Sequence, residues 1–153
     1  MKQGYIRPLA ICAFRNDDKI LVFEGYDPSK CETFYRPLGG AIEFGEYGSD
    51  ALVREIREEI GAEIADVRYL GTLENIFVYD GRRGHEIVMV FDATFVDKSF
   101  YAREQWNGVD DDAVLQVMWK PLGYFRQGNA PLYPDGLLGL LGGYVVRWLG
   151  RTT

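Results

Sequence analysis

The sequence predicts a single α/β domain over residues 1–153, with a mixed sheet and helices on its faces. Short runs rich in β-branched and aromatic residues recur along the chain, separated by turn-forming residues, and one segment shows apolar residues at every fourth position. Of the 153 residues, 47% are apolar and 26% are charged, which suits one core of ordinary size. No internal repeat, linker or shift in composition divides the chain, so we expect no second domain.

The first elements are predicted to be strands. Leu9–Phe14 and Ile20–Phe23 are apolar runs of strand length. Because the polar residues Asn16–Asp18 between them favour a turn, we expect the two runs to form a hairpin. Phe34–Arg36 is predicted to be a further short strand that ends at Pro37.

A glycine turn and a helix come next. The adjacent residues Gly39 and Gly40 mark a place where the backbone approaches another group closely. The pattern then predicts a helix over Tyr47–Ile60, with Gly61 placed to end it. Its opposite face is almost entirely charged, and its apolar face repeats every four residues at Leu52, Ile56 and Ile60.

The second half of the chain is predicted to begin with a long hairpin. Tyr69–Tyr79 and His85–Phe95 are rich in β-branched and aromatic residues. We expect Lys98–Asp112, which is polar, to be a loop and Val114–Trp119 to be a strand. The turn of the hairpin is supplied by Asp80, Gly81 and Gly84.

The last part is predicted to close the fold with a helix. Residues Pro121–Pro134 are expected to be mostly irregular, and Leu137–Leu149 is expected to be helical with Asp135 as its N-cap. The residues expected to pack on the sheet are Leu137, Leu141 and Trp148.

Charge and composition narrow the classes of function. The net charge of -6 does not attract nucleic acid over long distances, so we consider a nucleic-acid partner unfavoured. Cys12 and Cys31 are too few for a disulfide framework or a zinc site. No run is long enough to span a membrane, so we expect a cytoplasmic protein without membrane contact. The sequence is compatible with a homodimer but does not determine the oligomeric state.

Three glutamates of the predicted helix carry the chemistry. Glu55, Glu58 and Glu59 have i, i+3 and i+4 spacing, which gathers their side chains on one side of the helix. Their mutual repulsion is relieved in part by Arg54 and would be relieved further by a hard cation such as Mg²⁺, which binds carboxylate and carbonyl oxygens. Taken alone, this segment also fits a solvated helix face with mixed charges.

The surrounding residues resolve this alternative, because the whole stretch resembles the Nudix box. That pattern consists of a glycine, a glutamate six residues later, and an Arg-Glu-aliphatic-any-Glu-Glu-any-Gly-aliphatic block. Only the last position departs from the pattern, where an alanine replaces a bulkier aliphatic residue. The matching residues are Gly40, Glu46, Arg54, Glu55, Ile56, Glu58, Glu59, Gly61 and Ala62.

The resemblance implies a Nudix α/β/α sandwich and hydrolysis of a nucleoside diphosphate linked to another moiety, with Mg²⁺ or Mn²⁺ required. By the same resemblance, Glu58, Glu59 and the backbone carbonyl of Gly39 hold the metal. Glu55 either joins them as a ligand or activates the attacking water. Supporting roles fall to Arg54, which orients these carboxylates, and to Glu46, which pairs with Arg54.

Relatives with this box often use one further carboxylate from a loop beyond it. The polar segment before Val114 offers several, and its position favours Asp112 and Asp111 over the others. The role is either metal ligand or general base. A solvated acidic loop explains the same residues, which also include Glu104 and Asp110.

Three residues are candidates for contact with the substrate. Arg36 lies just before the glycine turn and could meet a phosphate or pair with the helix carboxylates. Tyr79 falls where dinucleoside polyphosphate hydrolases carry a tyrosine, although aromatic residues on a half-buried strand often only pack. His85, the sole histidine, neighbours Glu86 and is either a substrate contact or structural.

The resemblance leaves the substrate open. Nucleoside triphosphates, dinucleoside polyphosphates and nucleotide sugars all fit a small-molecule pyrophosphohydrolase. The alternatives are an enzyme that removes pyrophosphate from RNA 5′ ends, and a Nudix module that binds nucleotides without hydrolysing them. The second alternative is disfavoured because all four glutamates of the box are present.

Overall fold

A computed structural model of the chain describes residues 4–142. Two helices and nine strands lie wholly within this range, together with a 3-10 helix at Lys98–Tyr101, and a further helical segment begins at residue 137. The helices are α1 (Gly48–Ile60) and α2 (Leu122–Arg126). The strands are β1 (Ile6–Cys12), β2 (Arg15–Asn16), β3 (Lys19–Asp27), β4 (Glu32–Arg36), β5 (Leu38–Ala41), β6 (Ile64–Tyr79), β7 (Arg82–Phe95), β8 (Gln105–Asp110) and β9 (Ala113–Pro121).

The strands form two sheets. The first sheet has the order β5-β1-β7-β6, and its central pair, β1 and β7, is parallel. The second sheet is antiparallel, with the order β2-β3-β9-β8 and with β4 paired to β3. The predicted mixed α/β class is therefore confirmed, although the strands are divided between two sheets.

The central strands are covered on both sides, which explains why β1 reads as a continuous apolar run. Successive side chains of a strand point to opposite faces. Ala10 and Cys12 pack in one core with Leu52 and Ile56 of α1. The alternate residues pack in a second core under α2 and the turn of helix that begins at residue 137, a group that includes Leu9, Ile11, Leu122, Phe125 and Leu137.

Helix α1 matches its prediction closely. It runs over Gly48–Ile60 with Tyr47 as the N-cap residue. Gly61 adopts a left-handed conformation with φ of 66° and donates its N–H to the carbonyl of Arg57, which ends the helix. The long hairpin of β6 and β7, the strand β4 and the strand β9 are also confirmed, each somewhat longer than predicted.

Two predictions of local structure are wrong. The runs Leu9–Phe14 and Ile20–Phe23 do not form a hairpin with each other, because β1 pairs with β5 and β7 while β3 pairs with β2, β4 and β9. The segment Lys98–Asp112 is not a loop throughout, because Gln105–Asp110 forms β8 against β9. Apolar runs show that a strand is buried, but they do not show which strand it pairs with.

The predicted closing helix is only partly covered by the structure. Helical geometry begins at residue 137 and continues to 142, the last described residue, so the remainder of Leu137–Leu149 and Trp148 lie outside the described residues. Among residues 4–142, no helix combines the length and the apolar character needed to cross a membrane.

Candidate active site

Gly39 and Gly40 do not form the predicted turn, because both lie within strand β5 and pair with β1. The site forms where these glycines of β5 pack against α1. The backbone N–H of Gly39 donates a hydrogen bond of 3.0 Å to Oε1 of Glu59. A Cβ atom added to Gly40 would lie 2.3 Å from the carboxyl carbon of Glu55. The paired glycines therefore let two carboxylates of the helix approach the backbone of the strand.

Gly39 is also required by the sheet. Its φ of 146° is rarely adopted by residues with a side chain, and an added Cβ would lie 2.1 Å from the carbonyl oxygen of Ala10 on the neighbouring strand. The lack of a side chain at Gly39 thus allows close approach to the backbone of β1. At Gly40 it leaves space for the carboxylate of Glu55.

Arg54 lies at the centre of a carboxylate network. Its guanidinium donates two hydrogen bonds of 2.9 Å to Glu46, one of 3.0 Å to Glu55 and one of 3.3 Å to Glu58. A further hydrogen bond of 3.0 Å reaches the carbonyl of Ala41 in β5. The structure therefore brings Arg54 and Glu46 together with the helix glutamates, in the arrangement that the resemblance implies.

The network shifts the pKa of its members. The side-chain hydrogen bonds from Arg54 lower the pKa of Glu46 to about 2, helped by the backbone N–H bond within the turn at Glu43. The bonds to Glu46 in turn raise the pKa of Arg54 above its ordinary value. Glu46 and Arg54 therefore form a charged pair at neutral pH, and Arg54 also donates a hydrogen bond to Glu55.

Glu59 is the buried member of the glutamate cluster. Only 4% of the residue is exposed, because it continues the buried side of α1 that includes Leu52 and Ile56. Burial, together with repulsion from Glu55, raises the pKa of Glu59 to about 9. Burial also raises the pKa of Glu55. Arg54 compensates part of the charge of Glu55, whereas no basic side chain is among the groups that shift the pKa of Glu59, so a cation would favour its charged form.

A cavity of about 480 Å³ opens beside these residues. Its lining includes Gly39, Glu55, Glu58 and Glu59, so all four predicted metal-binding residues share one space. Glu58 is the most accessible of the glutamates, with 59% of its side chain exposed.

The oxygen donors suit a hard divalent cation, which takes carboxylate and carbonyl ligands and keeps several waters or phosphate oxygens. Within residues 4–142, no three or more His, Cys, Asp or Glu side chains are placed so that they could hold a metal ion by themselves. In this structure Arg54 and the amide of Gly39 donate hydrogen bonds to oxygens of these carboxylates. The donor set therefore fits such an ion only if water or substrate completes its coordination.

The turn between β8 and β9 adds two aspartate carboxylates to the lining of this 480 Å³ cavity. Asp110 and Asp111 belong to its lining, and both Glu55 and Glu59 are affected by the charge of Asp110. Asp112, the residue that the sequence favoured together with Asp111, is exposed and is absent from the lining described for this cavity.

A second cavity, of about 640 Å³, adjoins the first and is lined by aromatic side chains. Phe34, Phe77, Tyr79 and Tyr133 contribute to it. The sequence candidate Tyr79 therefore lies in a cavity, and its hydroxyl donates a hydrogen bond of 3.3 Å to the carbonyl of Tyr26. We refer to this space as the aromatic cavity and to the first as the carboxylate cavity.

The two cavities meet at a buried carboxylate that the sequence did not single out. Glu86 is 1% exposed and accepts hydrogen bonds of 3.2 Å from Nη2 of Arg36 and from Nδ2 of Asn75. Oδ1 of Asn75 is buried and has no hydrogen-bond partner in the described part of the chain. Arg36, a predicted substrate contact, is therefore held at the junction of the cavities.

His85 lies on the other face of the same strand. Its Nε2 is 3.0 Å from Oε2 of Glu74 on β6, and its side chain lines neither of the two cavities as they are described here. The alternation of side chains along β7 explains this, since Glu86 and His85 are adjacent and point in opposite directions. The structure thus separates His85 from the other candidates.

The sequence did not single out Glu86, Asn75 or Arg7 as site residues. Like Glu86, Arg7 lines both cavities. Glu86 and Asn75 are paired in the register of β6 and β7, and Arg7 is paired with Glu86 in the register of β1 and β7. A charged residue within an otherwise apolar strand was a usable signal for Glu86. The contact across strands was not readable from the sequence.

Comparison with known proteins places these features in context. The profile of the NUDIX domain family matches residues 6–135 of this chain. Among curated proteins, the chain is similar to the NAD-capped RNA hydrolase NudC of Vibrio atlanticus, with 36% identity over 67 residues, which are 44% of this chain and 24% of that protein. It is also similar to the NudC protein of Pseudomonas aeruginosa, with 28% identity over 111 residues, which are 69% of this chain and 37% of that protein. The matches thus span well under half of these curated relatives.

Solved structures show the same fold. A NUDIX hydrolase from Nitrosomonas europaea superposes with a TM-score of 0.63 at 17% identity, covering 93% of this chain and 90% of that one. The E. coli ORF135 protein superposes with a TM-score of 0.57 at 23% identity, covering 95% and 93% of the two chains. At these identities the likeness shows the common architecture of sheets and helices.

Proposed function

The chain belongs to the NUDIX domain family, and from this premise we propose that it hydrolyses a phosphoric anhydride bond in a compound that contains a nucleoside diphosphate. The observation that carries the proposal is the buried carboxylate of Glu59 beside Glu55, facing the paired glycines of β5 in the carboxylate cavity. A buried acidic cluster of this kind is costly without a cation and is poorly suited to a merely solvated helix face.

The proposed cofactor is Mg²⁺ or Mn²⁺, held by Glu55, Glu58, Glu59 and the carbonyl oxygen of Gly39. When bound, such an ion neutralises phosphate charge and lowers the pKa of water that attacks phosphorus. Support comes from the oxygen donors that share one cavity and from the raised pKa of Glu59.

Other residues of the chain would position the reacting groups. Arg54 keeps Glu55 and Glu58 in place, and Glu46 keeps Arg54 in place through two hydrogen bonds. Glu55 is either a ligand or the base that accepts a proton from the attacking water. For the additional carboxylate we now favour Asp110 and Asp111 over Asp112, because only the first two line the cavity in the described structure.

The proposed substrate is a small nucleotide whose organic group occupies the aromatic cavity while its anhydride reaches the carboxylate cavity. Rings of Phe34, Phe77 and Tyr79 offer stacking surfaces for a base, and Arg36 lies between this cavity and the carboxylates. Nucleoside triphosphates, dinucleoside polyphosphates and nucleotide sugars all meet this description.

A second candidate comes from the curated relatives. Since the similar NudC proteins are named NAD-capped RNA hydrolases, a dinucleotide such as NAD, either free or at an RNA 5′ end, is a further candidate substrate. The net charge of -6 favours the free compound over the RNA, because the long-range field repels a polyanion. Removal of pyrophosphate from RNA 5′ ends is disfavoured for the same reason.

The decisive experiment is a hydrolysis panel with Mg²⁺ or Mn²⁺. It compares nucleoside triphosphates, dinucleoside polyphosphates, nucleotide sugars, NAD, and short RNAs with a triphosphate or NAD at the 5′ end. We expect turnover of at least one small nucleotide and loss of turnover in EDTA. Product analysis then identifies the phosphorus that is attacked.

The matched variants are Glu58→Gln and Glu63→Gln. Glu58 lies in the carboxylate cavity, so its substitution should lower kcat by about 100-fold, since loss of a metal-binding carboxylate weakens both metal binding and water activation. Glu63 pairs with Arg57 just after the end of α1, so its substitution should leave kcat within about twofold. No turnover of any compound, or equal turnover by both variants, would instead favour a module that binds nucleotides without hydrolysing them.

A further inference from the structure

Two arginines flank a buried carboxylate at the junction of the two cavities. Arg7, Arg36 and Glu86 line both the carboxylate cavity and the aromatic cavity. Arg7 on β1 is paired in register with Glu86 on the parallel strand β7, and Arg36 on β4 reaches Glu86 from the second sheet. The junction is therefore built from both sheets and is not a property of one loop.

Several N–H groups of Arg7 and Arg36 donate no hydrogen bond within the described residues. The hydrogen bonds to Glu86 come from Arg36 and Asn75, so this buried carboxylate does not depend on Arg7. Over residues 4–142, the Arg7 side chain has no ion-pair partner and no hydrogen bond. Arg36 uses only Nη2 in its hydrogen bonds within that range, which leaves Nε and Nη1 available. Each guanidinium carries five N–H donors in a planar arrangement that suits phosphate oxygens.

The charge distribution shows why these donors matter. Among the described residues, Arg7 and Arg36 are the only basic side chains that line the carboxylate cavity, whereas six carboxylates line it. A polyphosphate that enters this space is repelled by most of its walls. Among the described residues that line this cavity, the positively charged side chains all lie at the junction.

We propose that Arg7 and Arg36 form a phosphate-binding site at the junction, with Arg7 as a specificity-determining residue for the substrate. This site is part of the proposed function, on which the identity of the remaining groups of the ligand rests. The recognised compound has an aromatic group joined to at least two phosphates, and the phosphate nearer to the aromatic group contacts Arg7 and Arg36. Glu86 acts as a positioning residue that holds Arg36.

The test measures phosphate binding separately from hydrolysis. The probe is imidodiphosphate, a diphosphate analogue that resists hydrolysis, added with equimolar Mg²⁺ and followed by isothermal titration calorimetry. We expect Arg7→Gln to raise the Kd about tenfold, because it removes charge-assisted hydrogen bonds. Arg82→Gln is the matched control, since Arg82 lies at the hairpin tip and lines neither cavity in the described structure. Its Kd should stay within about twofold of the wild type.

The result that overturns the inference is an equal Kd for the two variants, or no binding of the probe to the wild type at millimolar concentration. If Arg7→Gln lowers the midpoint of thermal unfolding, contact between Arg7 and the probe is instead measured in the wild type, from the NMR signal of the Arg7 Nε–H. This signal should shift during the titration, and the corresponding Arg82 signal should not. If the hydrolysis panel finds no substrate while the probe still distinguishes Arg7 from Arg82, the proposed function fails and the phosphate site stands.

Discussion

The adjacent glycines of strand β5, Gly39 and Gly40, have different physical roles. An added Cβ at Gly39 meets backbone atoms of Ala10 and Ile11, which cannot move without disturbing β1. The three atoms nearest to an added Cβ at Gly40 all belong to the carboxylate of Glu55, which is the end of a flexible side chain. Substitution at Gly39 therefore strains the fold, whereas substitution at Gly40 displaces a reacting group.

We expect Gly40→Ala to lower kcat/KM by about 100-fold while the protein remains folded. The new methyl group would push the Glu55 carboxylate away from Gly40, and displacements of about 1 Å in an active site have effects of this size. Steady-state kinetics on the substrate found by the panel, together with thermal unfolding, measure the two effects.

Two other alanine variants serve as controls for Gly40→Ala. Gly39→Ala should lower the free energy of unfolding by about 1–3 kcal/mol, because φ of 146° and the contact with Ala10 both oppose a side chain. Gly123→Ala should change neither quantity much, since nothing lies within 4 Å of the added atom. Unchanged kinetics in Gly40→Ala would contradict the assigned position of Glu55.

The sequence predicts the position of Glu59 on α1 but not its pKa. The spacing of the box placed it beside Glu55 and Glu58, but the three glutamates have very different environments. Glu59 lies seven positions after Leu52 and three after Ile56, on the buried side of α1. The helical period predicts this position. The raised pKa, however, depends first on burial and also on repulsion from Asp110 of β8, which only the fold brings close.

At the scale of secondary structure, hydrogen bonds connect the hairpin of β3 and β4 with the hairpin of β6 and β7 beside the aromatic cavity. Oδ1 of Asp27, at the end of β3, accepts a hydrogen bond of 3.2 Å from the backbone N–H of Asp80 in the turn between β6 and β7. Nearby, Nζ of Lys30 donates a hydrogen bond of 2.8 Å to the carbonyl of Val78. These bonds connect one hairpin from each sheet.

We expect Asp27→Asn to lower stability at neutral pH and to loosen this connection. Burial alone would raise the pKa of Asp27, but hydrogen bonds from Ser29, Asp80 and Lys30 bring it below the ordinary value of 3.8. The stabilisation by the charged form is thus present above pH 3.8 and is lost as the pH falls through the lower folded-state pKa. Thermal unfolding at pH 7 and near pH 2.5 should show a deficit for the variant that shrinks in acid.

The control for this variant is Asp18→Asn, which makes the same change in another, exposed turn. It should not reproduce the deficit at pH 7. A deficit in Asp27→Asn that stays constant from pH 7 to pH 2.5 would show that the charge of Asp27 does not contribute to the connection.

Strand β8 illustrates why a polar segment was mistaken for a loop. Gln105–Asp110 has few apolar residues, and its alternate side chains are exposed, so the usual strand signal is weak. Pairing with β9 supplies the hydrogen bonds that composition does not predict. As a consequence, Asp110 and Asp111 reach the carboxylate cavity, and Asp112 does not belong to the lining in the described structure.

At the scale of the whole molecule, the site depends on contact between the antiparallel sheet and α1. Gly108 of β8 lies against the end of the helix, where an added Cβ would be 2.8 Å from the carbonyl oxygen of Glu59 and 3.0 Å from Ile60. This contact sets the distance between Asp110 and the helix glutamates.

We expect Gly108→Ala to lower the free energy of unfolding by about 1–3 kcal/mol and to reduce kcat, because β8 must move away from the helix backbone. Chemical denaturation and steady-state kinetics measure the two effects. The control is Gly123→Ala, which adds the same methyl group in open space on α2. Wild-type stability in Gly108→Ala would show that the packing of β8 against α1 is not tight.

By itself, the sequence determined the class of fold, helix α1 with its glycine stop, and the arrangement of Arg54 with the glutamates. Apolar periodicity and turn residues predicted the class of fold and the helix, and the resemblance to the Nudix box implied the arrangement of Arg54, because the residues involved lie close together in the chain. Only the tertiary structure decided that β1 and β3 belong to different sheets, that Asp110 rather than Asp112 lines the cavity, and that Arg7 and Glu86 lie opposite each other on paired strands. Contacts of this kind join residues that are far apart in the chain, and strand pairing, which apolar runs do not specify, brings them together.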